Sequence, residues 1–307
     1  MYLLSSIIFG ILLGSNDSAN IFGPSVEMGI LKYRKVTIIA AIFTFLGAII
    51  GGERGIRTIS TFSNIDIYSA TISVISAAIT MFILSKIGIP SSSSQSIVGA
   101  IIGINLLTNN LNTKLLLKLF LAWILTPIGG IIFTYLLYKT LSPLFNKIKS
   151  IQTREKIIIL STLIIGSYGA YSLGANNVAN ITGVFANNIG TKNATFVGGI
   201  SMAIGALLSN KKVMYTISKK IMELDYFSSA VSSLGQAITV WIYSLVGIPV
   251  SVSQAIVGAV IGAGYAKGSK ITNKKVIIQI FLTWIITPTF SAFISIILNY
   301  LLKISIF

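Results

Sequence analysis

Read along the chain, long apolar runs alternate with short clusters of small polar residues, and the order of those clusters repeats. Apolar stretches at 36–51, 65–85, 115–138, 156–173, 226–248 and 276–302 reach or approach the roughly 20 residues that a helix needs to cross a bilayer. They predict an all-α, polytopic membrane protein. Against this background four patterns occur twice. GSNDSAN at 14–20 returns as GANNVAN at 174–180, 160 residues later. GIPSSSSQSIVGAIIG at 88–103 returns as GIPVSVSQAIVGAVIG at 247–262, 159 residues later. WILTP at 123–127 returns as WIITP at 284–288, and RTIS at 57–60 has a weaker echo in YTIS at 215–218. A constant offset with conserved order predicts two homologous transmembrane repeats, 1–145 and 156–307, joined by a basic linker at 146–155.

Duplicated halves that contain Gly- or Pro-interrupted apolar segments point to a secondary transporter with its substrate near the midplane between the halves. The stretch from Ile89 to Ser96 follows a long apolar span and precedes a short one. Proline suits the first turn of a helix and serine is among the best N-caps, so the chain is expected to break there and restart as a short helix. Residues 248–255 repeat the arrangement. Non-helical backbone at membrane depth is tolerated only inside protein or along a watery cavity. A helix start dressed with hydroxyls is a ready anion site.

The first signature has a different chemistry. Asn16, Asp17 and Asn20 fall partly on one helical face, and a carboxylate at membrane depth is a functional-site hypothesis by default. Carboxylate and amide oxygens suit hard cations, so a Na⁺ site is expected here, with Asn176, Asn177 and Asn180 as its counterpart. Thr126 and Thr287, each beside a proline, are further candidate cation ligands. The chain holds seven carboxylates: Asp17, Glu27, Glu53, Asp66, Glu155, Glu223 and Asp225. Only Asp17 and Glu27 are near a motif, and no Lys or Arg lies in either break. An anion bound there must be held by neutral donors and helix ends, with countercharge from co-bound cations. That predicts cation-coupled anion transport.

Composition narrows the alternatives. Only 10% of residues are charged and 54% are hydrophobic, with a mean hydropathy of +0.87. The 23 basic residues against 7 acidic ones, net +16, sit mainly in short loops such as 32–35, 146–156, 210–212 and 218–220. That pattern suits anionic lipid head groups rather than nucleic acid. With neither cysteine nor histidine, disulfides, thiolate chemistry, His-ligated metals and a histidine proton relay are excluded. General acid–base catalysis has little to work with, so an enzyme is not expected and no cofactor is implied. The first dozen residues lack a basic start and a small-residue cleavage site, and are read as mature protein. GAIIG and GAVIG read as close helix packing rather than dimerisation. Trp123 and Trp284 read as interfacial anchors or as flanks of a kink.

The paired signatures resemble those of the inorganic phosphate transporter (PiT) family, whose duplicated GANDxAN element and second Ser-rich element both have counterparts here. The resemblance runs through both halves. It implies a symporter of inorganic phosphate with Na⁺, or H⁺ in some members, in the cell membrane. The implied fold has two repeats of inverted topology, each with broken helices and a re-entrant helical hairpin, often assembled as a homodimer. Carried across by motif, Asn16, Asp17, Asn20, Asn176 and Asn180 would line the ion and phosphate site. The hairpins would add Ser91, Ser92, Ser93, Ser94 and Gln95 from one repeat, and Ser251, Ser253 and Gln254 from the other, with Asp17 and Asn177 also near the anion. Two departures matter. Asn177 stands where the family usually has Asp, and Gln95 and Gln254 stand where many members carry His. Loss of that histidine favours Na⁺ over H⁺. Sulfate or another oxyanion remains an alternative cargo, and an anion channel an alternative mode.

Overall fold

The computed structural model describes residues 2–88, 90–108, 111–269 and 273–304. Ile89, the first residue of the first break, lies outside them. The first repeat contributes α1 (Tyr2–Glu27), α2 (Tyr33–Gly51), α3 (Glu53–Ser63), α4 (Ile67–Ile87), α5 (Ser93–Thr108) and α6 (Thr113–Asn146). The second contributes α7 (Ile151–Thr182), α8 (Ala186–Ile189), α9 (Thr191–Leu207), α10 (Lys211–Tyr215), α11 (Tyr226–Val246), α12 (Val252–Lys267) and α13 (Lys274–Ile304). Among the described residues six stretches are long and apolar enough to cross a membrane, and each falls on one of the six apolar runs.

Local chemistry explains where the helices start and stop. Asp66 caps α4 by accepting from the backbone N–H groups of Tyr68 and Ser69, at 2.8 and 3.0 Å. Its repeat equivalent, Asp225, caps α11 reciprocally with Ser228. Both helices end at a glycine in the left-handed region, Gly88 and Gly247, each with φ of 75°. The chain then restarts as the short helices α5 and α12. Ser92 and Ser251 accept from the backbone N–H of Gln95 and Gln254, 3.2 Å in each case. With 16 residues each, these helices are about 24 Å long, short of a full bilayer crossing.

The repeats do not form two separate bodies. Within each, the signature helix packs on the long arm of the hairpin, α1 on α4 and α7 on α11. Across them, α1 packs on α9 and α7 on α2, while α5 packs on α13 and α12 on α6. α1 and α2 thus pack on α9 and α7 of the second repeat, and α5 and α6 on its α13 and α12. The equivalent helices α1 and α7 cross one another antiparallel: Gly10 lies against Ile181, Asp17 against Asn177, and Ile21 against Gly169. The operation that exchanges the repeats therefore turns the signature helix end for end.

Close approach explains the glycines that open both signatures. A Cβ on Gly14 would run into the Met202 carbonyl of α9, and one on Gly174 into the Thr44 carbonyl of α2. Thr44 and Met202 are themselves repeat equivalents. GAIIG and GAVIG serve the same end. Gly99 and Gly103 face α13, and Gly258 and Gly262 face α6.

Candidate functional site

The GSNDSAN stretch does not interrupt α1; it is a continuous helix whose polar residues are turned inward. Asp17 is 1% exposed, and each of its two oxygens accepts two hydrogen bonds. Oδ1 accepts from the side-chain amides of Asn16 at 2.7 Å and Asn20 at 3.5 Å. Oδ2 accepts from the Ser93 hydroxyl at 2.8 Å and from the Asn177 amide at 2.9 Å. One carboxylate thus ties together both signatures and the start of α5.

A second set of bonds ties in the other hairpin. Asn180 donates to Ser94 Oγ at 2.9 Å, and Ser94 donates in turn to the Val250 carbonyl, also at 2.9 Å. Asn176 spans the break before α12, donating to the Ile248 carbonyl at 3.0 Å and accepting from the Val250 N–H at 2.8 Å. The Ser91 carbonyl accepts from Asn16 at 3.2 Å and from Ser253 at 2.8 Å, and Ser253 Oγ lies 2.8 Å from Ser251 Oγ. The two non-helical breaks are therefore bonded to each other and to both signature helices.

These bonds fix which way each amide points. A carboxylate only accepts, so Asn16, Asn20 and Asn177 must turn their NH₂ groups toward Asp17. Ser94 spends its proton on Val250, so Asn180 must donate to it. What remains are four buried amide oxygens, Oδ1 of Asn16, Asn20, Asn177 and Asn180, without a hydrogen-bond partner among the described residues. Buried acceptors left without a donor are costly unless water or a cation meets them. The cluster thus offers surplus oxygen, not surplus N–H.

Not every sequence candidate joins this cluster. Ser91 contributes its carbonyl, while its hydroxyl points to the Met81 sulfur at 3.4 Å. The Thr126 hydroxyl bonds back to the Ala122 carbonyl and that of Thr287 to the Thr283 carbonyl, and neither shares in the hydrogen bonds around Asp17. Threonine within a helix has this i−4 carbonyl always at hand. Gln95 and Gln254 are buried, but on the wall of a different space, a cavity of about 660 Å³ between α6 and α13. Trp123 and Trp284 line the same cavity, each edge-on to a phenylalanine, Phe120 and Phe281, with ring centroids 4.9 and 4.6 Å apart. They are mid-helix packing residues and not end anchors. Sequence reading also missed the backbone of Ile248 and Val250, and Gln236 of α11, treated below.

A profile of the phosphate transporter family matches residues 13–163 and again 145–295. The sulfate permease CysP of Bacillus subtilis is 32% identical over 309 residues, covering 98% of this chain and 86% of that protein. The chain belongs to the phosphate transporter family. Another relative, the putative phosphate permease MJ0630 of Methanocaldococcus jannaschii, is 28% identical over 298 residues, covering 97% of this chain and 95% of its own. A solved structure described as the sodium-dependent phosphate transporter superposes with a TM-score of 0.89 at 23% identity, covering 99% of this chain and 98% of that one. At that identity the likeness shows the fold. As a phosphate transporter family member with six stretches among the described residues long and apolar enough to cross a membrane, the chain is a multi-pass membrane transport protein and not an enzyme.

Proposed function

We propose that this protein is a Na⁺-coupled symporter that imports inorganic phosphate, held at the midplane between the repeats. The observation that carries this reading is the cluster of four unpartnered amide oxygens around a single buried carboxylate. Neutral and anionic oxygens are the donor set of a hard cation. Asn16, Asp17, Asn20, Asn177 and Asn180 would hold Na⁺, with Asn176 positioning the second break. The anion would then sit between the bound cations and the two capped helix starts, where Ser92, Ser93, Ser94, Ser251 and Ser253 gather. No basic side chain lies in either break, so the anion's charge is offset by the co-bound ions, and this makes coupling obligatory. A homodimer in the cell membrane is part of the same reading.

Sulfate is the second reading, favoured by the 32% identity to a sulfate permease. The two differ in one respect that bears on this site. Phosphate near neutral pH carries protons it can donate to surplus acceptors, whereas sulfate carries none. Any acceptor of the cluster that Na⁺ leaves free therefore favours phosphate. Uptake of labelled phosphate and labelled sulfate into proteoliposomes, with a Na⁺ or a choline gradient, tests both. Phosphate accumulation that needs Na⁺ is expected. Accumulation of sulfate alone would reassign the cargo, uptake driven equally by choline would remove Na⁺ coupling, and flux without accumulation would mean a channel.

A further inference from the structure

Away from the Asp17 cluster, α11 carries a buried amide that nothing in the proteins's packing satisfies: Gln236 is 0% exposed, and neither Oε1 nor Nε2 has a hydrogen-bond partner among the described residues. Its neighbours form a seam with it. α11 runs parallel to α7, since Gln236 Oε1 lies 3.8 Å from where a Cβ on Gly169 would stand, while Asn176 bonds the chain just beyond α11 at Ile248. Seven residues before Gly169 and Gln236, on the same faces, come Thr162 and Ser229, also buried and also with unpartnered hydroxyls. Between Ser229 and Gln236, Ser233 donates to the carbonyl of Ile21, the residue after Asn20, at 3.1 Å. Unpartnered buried polar groups in a row imply water or an ion between them.

Next to the outer end lies a cavity of about 500 Å³ lined by Ile158, one turn before Thr162, and by Tyr226 and Phe227, just before Ser229. Two of the chain's seven carboxylates, Glu155 and Asp225, line that cavity. Arg154 lines it as well, so acids there are matched by bases, in a protein where bases outnumber acids 23 to 7 overall. The basic groups nearby are engaged: Lys267 pairs with Asp225 at 3.0 Å, and Arg154 donates to the carbonyls of Ile148 and Asn146.

The other repeat supplies the control. The equivalents of Thr162, Gly169, Ser229 and Gln236 are Tyr2, Phe9, Ala70 and Ala77, of which Phe9, Ala70 and Ala77 are fully buried. Two rings and two methyl groups fill the place of the seam. The serines on that side, Ser73 and Ser76, bond back to their own helix. Packing alone would have served both repeats alike, so the polar set on one side calls for a one-sided role.

We propose that the seam of Thr162, Ser229 and Gln236 is the hydrated route by which small cations pass between the Asp17 cluster and the cavity at Asp225, with Gln236 contacting the ion in transit. The cation's identity as Na⁺ rests on the coupling reading above; the route does not. The chain has no native cysteine, so single cysteines report directly. In proteoliposomes treated with a membrane-impermeant cationic thiol reagent, Ser229→Cys and Gln236→Cys should react at least tenfold faster than Ala70→Cys and Ala77→Cys. Na⁺ should slow the reaction at Gln236→Cys several-fold. Gln152→Cys, on the exposed first turn of α7, reports reagent access and protein integrity. Equal rates at positions 236 and 77, or no reaction at 229 and 236 while 152 reacts fully, would overturn the route. In parallel, Gln236→Leu should raise the Na⁺ concentration for half-maximal phosphate uptake at least fivefold, while phosphate half-saturation measured at saturating Na⁺ stays within twofold of wild type. An unchanged Na⁺ requirement would remove Gln236 from the route. If wild-type uptake needs no Na⁺, the coupling reading fails while the labelling pattern still decides the route.

Discussion

The Asn177 amide donates to Asp17 Oδ2 at 2.9 Å, joining residues 160 positions apart that occupy equivalent places in the two repeats. One half of the pair is charged and the other is not, so the pair can close on itself by a hydrogen bond. Two carboxylates at that separation would repel and would need a cation between them. Asn177→Asp should therefore make the fold depend on the ion. In detergent, the variant's thermal midpoint should rise far more on replacing choline with Na⁺ than that of wild type. Identical Na⁺ shifts would show that the two positions do not share an ion.

Asp17→Asn removes the only carboxylate in the cluster and leaves a side chain that can still pack. Uptake driven by Na⁺ should fall at least 100-fold, while the folded protein remains detectable by gel filtration. Retention of near-normal Na⁺-driven uptake would detach coupling from this residue.

The relay from Asn180 through Ser94 to the Val250 carbonyl pins the first hairpin to the second. Ser94→Ala leaves a buried amide and a buried carbonyl without partners, at a cost of about 1–3 kcal/mol for such groups. A lowered thermal midpoint and weakened phosphate binding are expected together. Ser91→Ala removes only a hydroxyl facing the Met81 sulfur and should change neither by much. Titration of phosphate binding by the two variants separates the cases.

Gly14→Ala and Gly174→Ala should be nearly equal in effect, because each forces a methyl group into a carbonyl of the neighbouring helix. Overpacking of this kind costs about 1–3 kcal/mol or more. Comparison of thermal midpoints checks both the size and the symmetry; a large effect at one position only would mean that the two helix contacts are not equivalent.

Asp225 lies outside the membrane-crossing stretches. Burial pushes its carboxyl up, but the Ser228 N–H and hydroxyl together with Lys267 outweigh burial and hold it below its ordinary value. A carboxyl lowered in the folded state stabilises the protein above its unfolded pKa, and that contribution disappears as pH falls through the lower folded value. Asp225→Ala should cost about 1 kcal/mol as a lost cap at neutral pH. The gap from wild type in thermal midpoint should shrink below about pH 4. A gap that persists in acid would point to packing instead of charge.

Much of this arrangement was legible in the sequence because the repeat doubled each signal. Both breaks, their capping serines and the six apolar runs stand in the structure where the pattern puts them. Among the helices outside those runs is α9, whose Gly198, Gly199, Ser201 and Gly205 dilute its hydropathy; moving α2 by the repeat offset would have found it. Side-chain direction was the harder part. Ser91, Thr126 and Thr287 carry the right chemistry, but local backbone carbonyls or a neighbouring sulfur claim their hydroxyls. Gln95 and Gln254 carry it too, yet their helix faces a different cavity. Gln236 gave no signal through spacing; only its contrast with Ala77 marks it.

The exchange of partners between repeats also constrains how the protein is made. α1 finds its glycine-matched neighbour only when α9 has been synthesised, and α5 waits for α13, the last helix of the chain. Until those helices arrive the small-residue faces of α1 and α5 are uncovered, and until α7 is made the Asp17 carboxylate lacks its donor. The Asp17 cluster is thus completed only once helices of both repeats have been made.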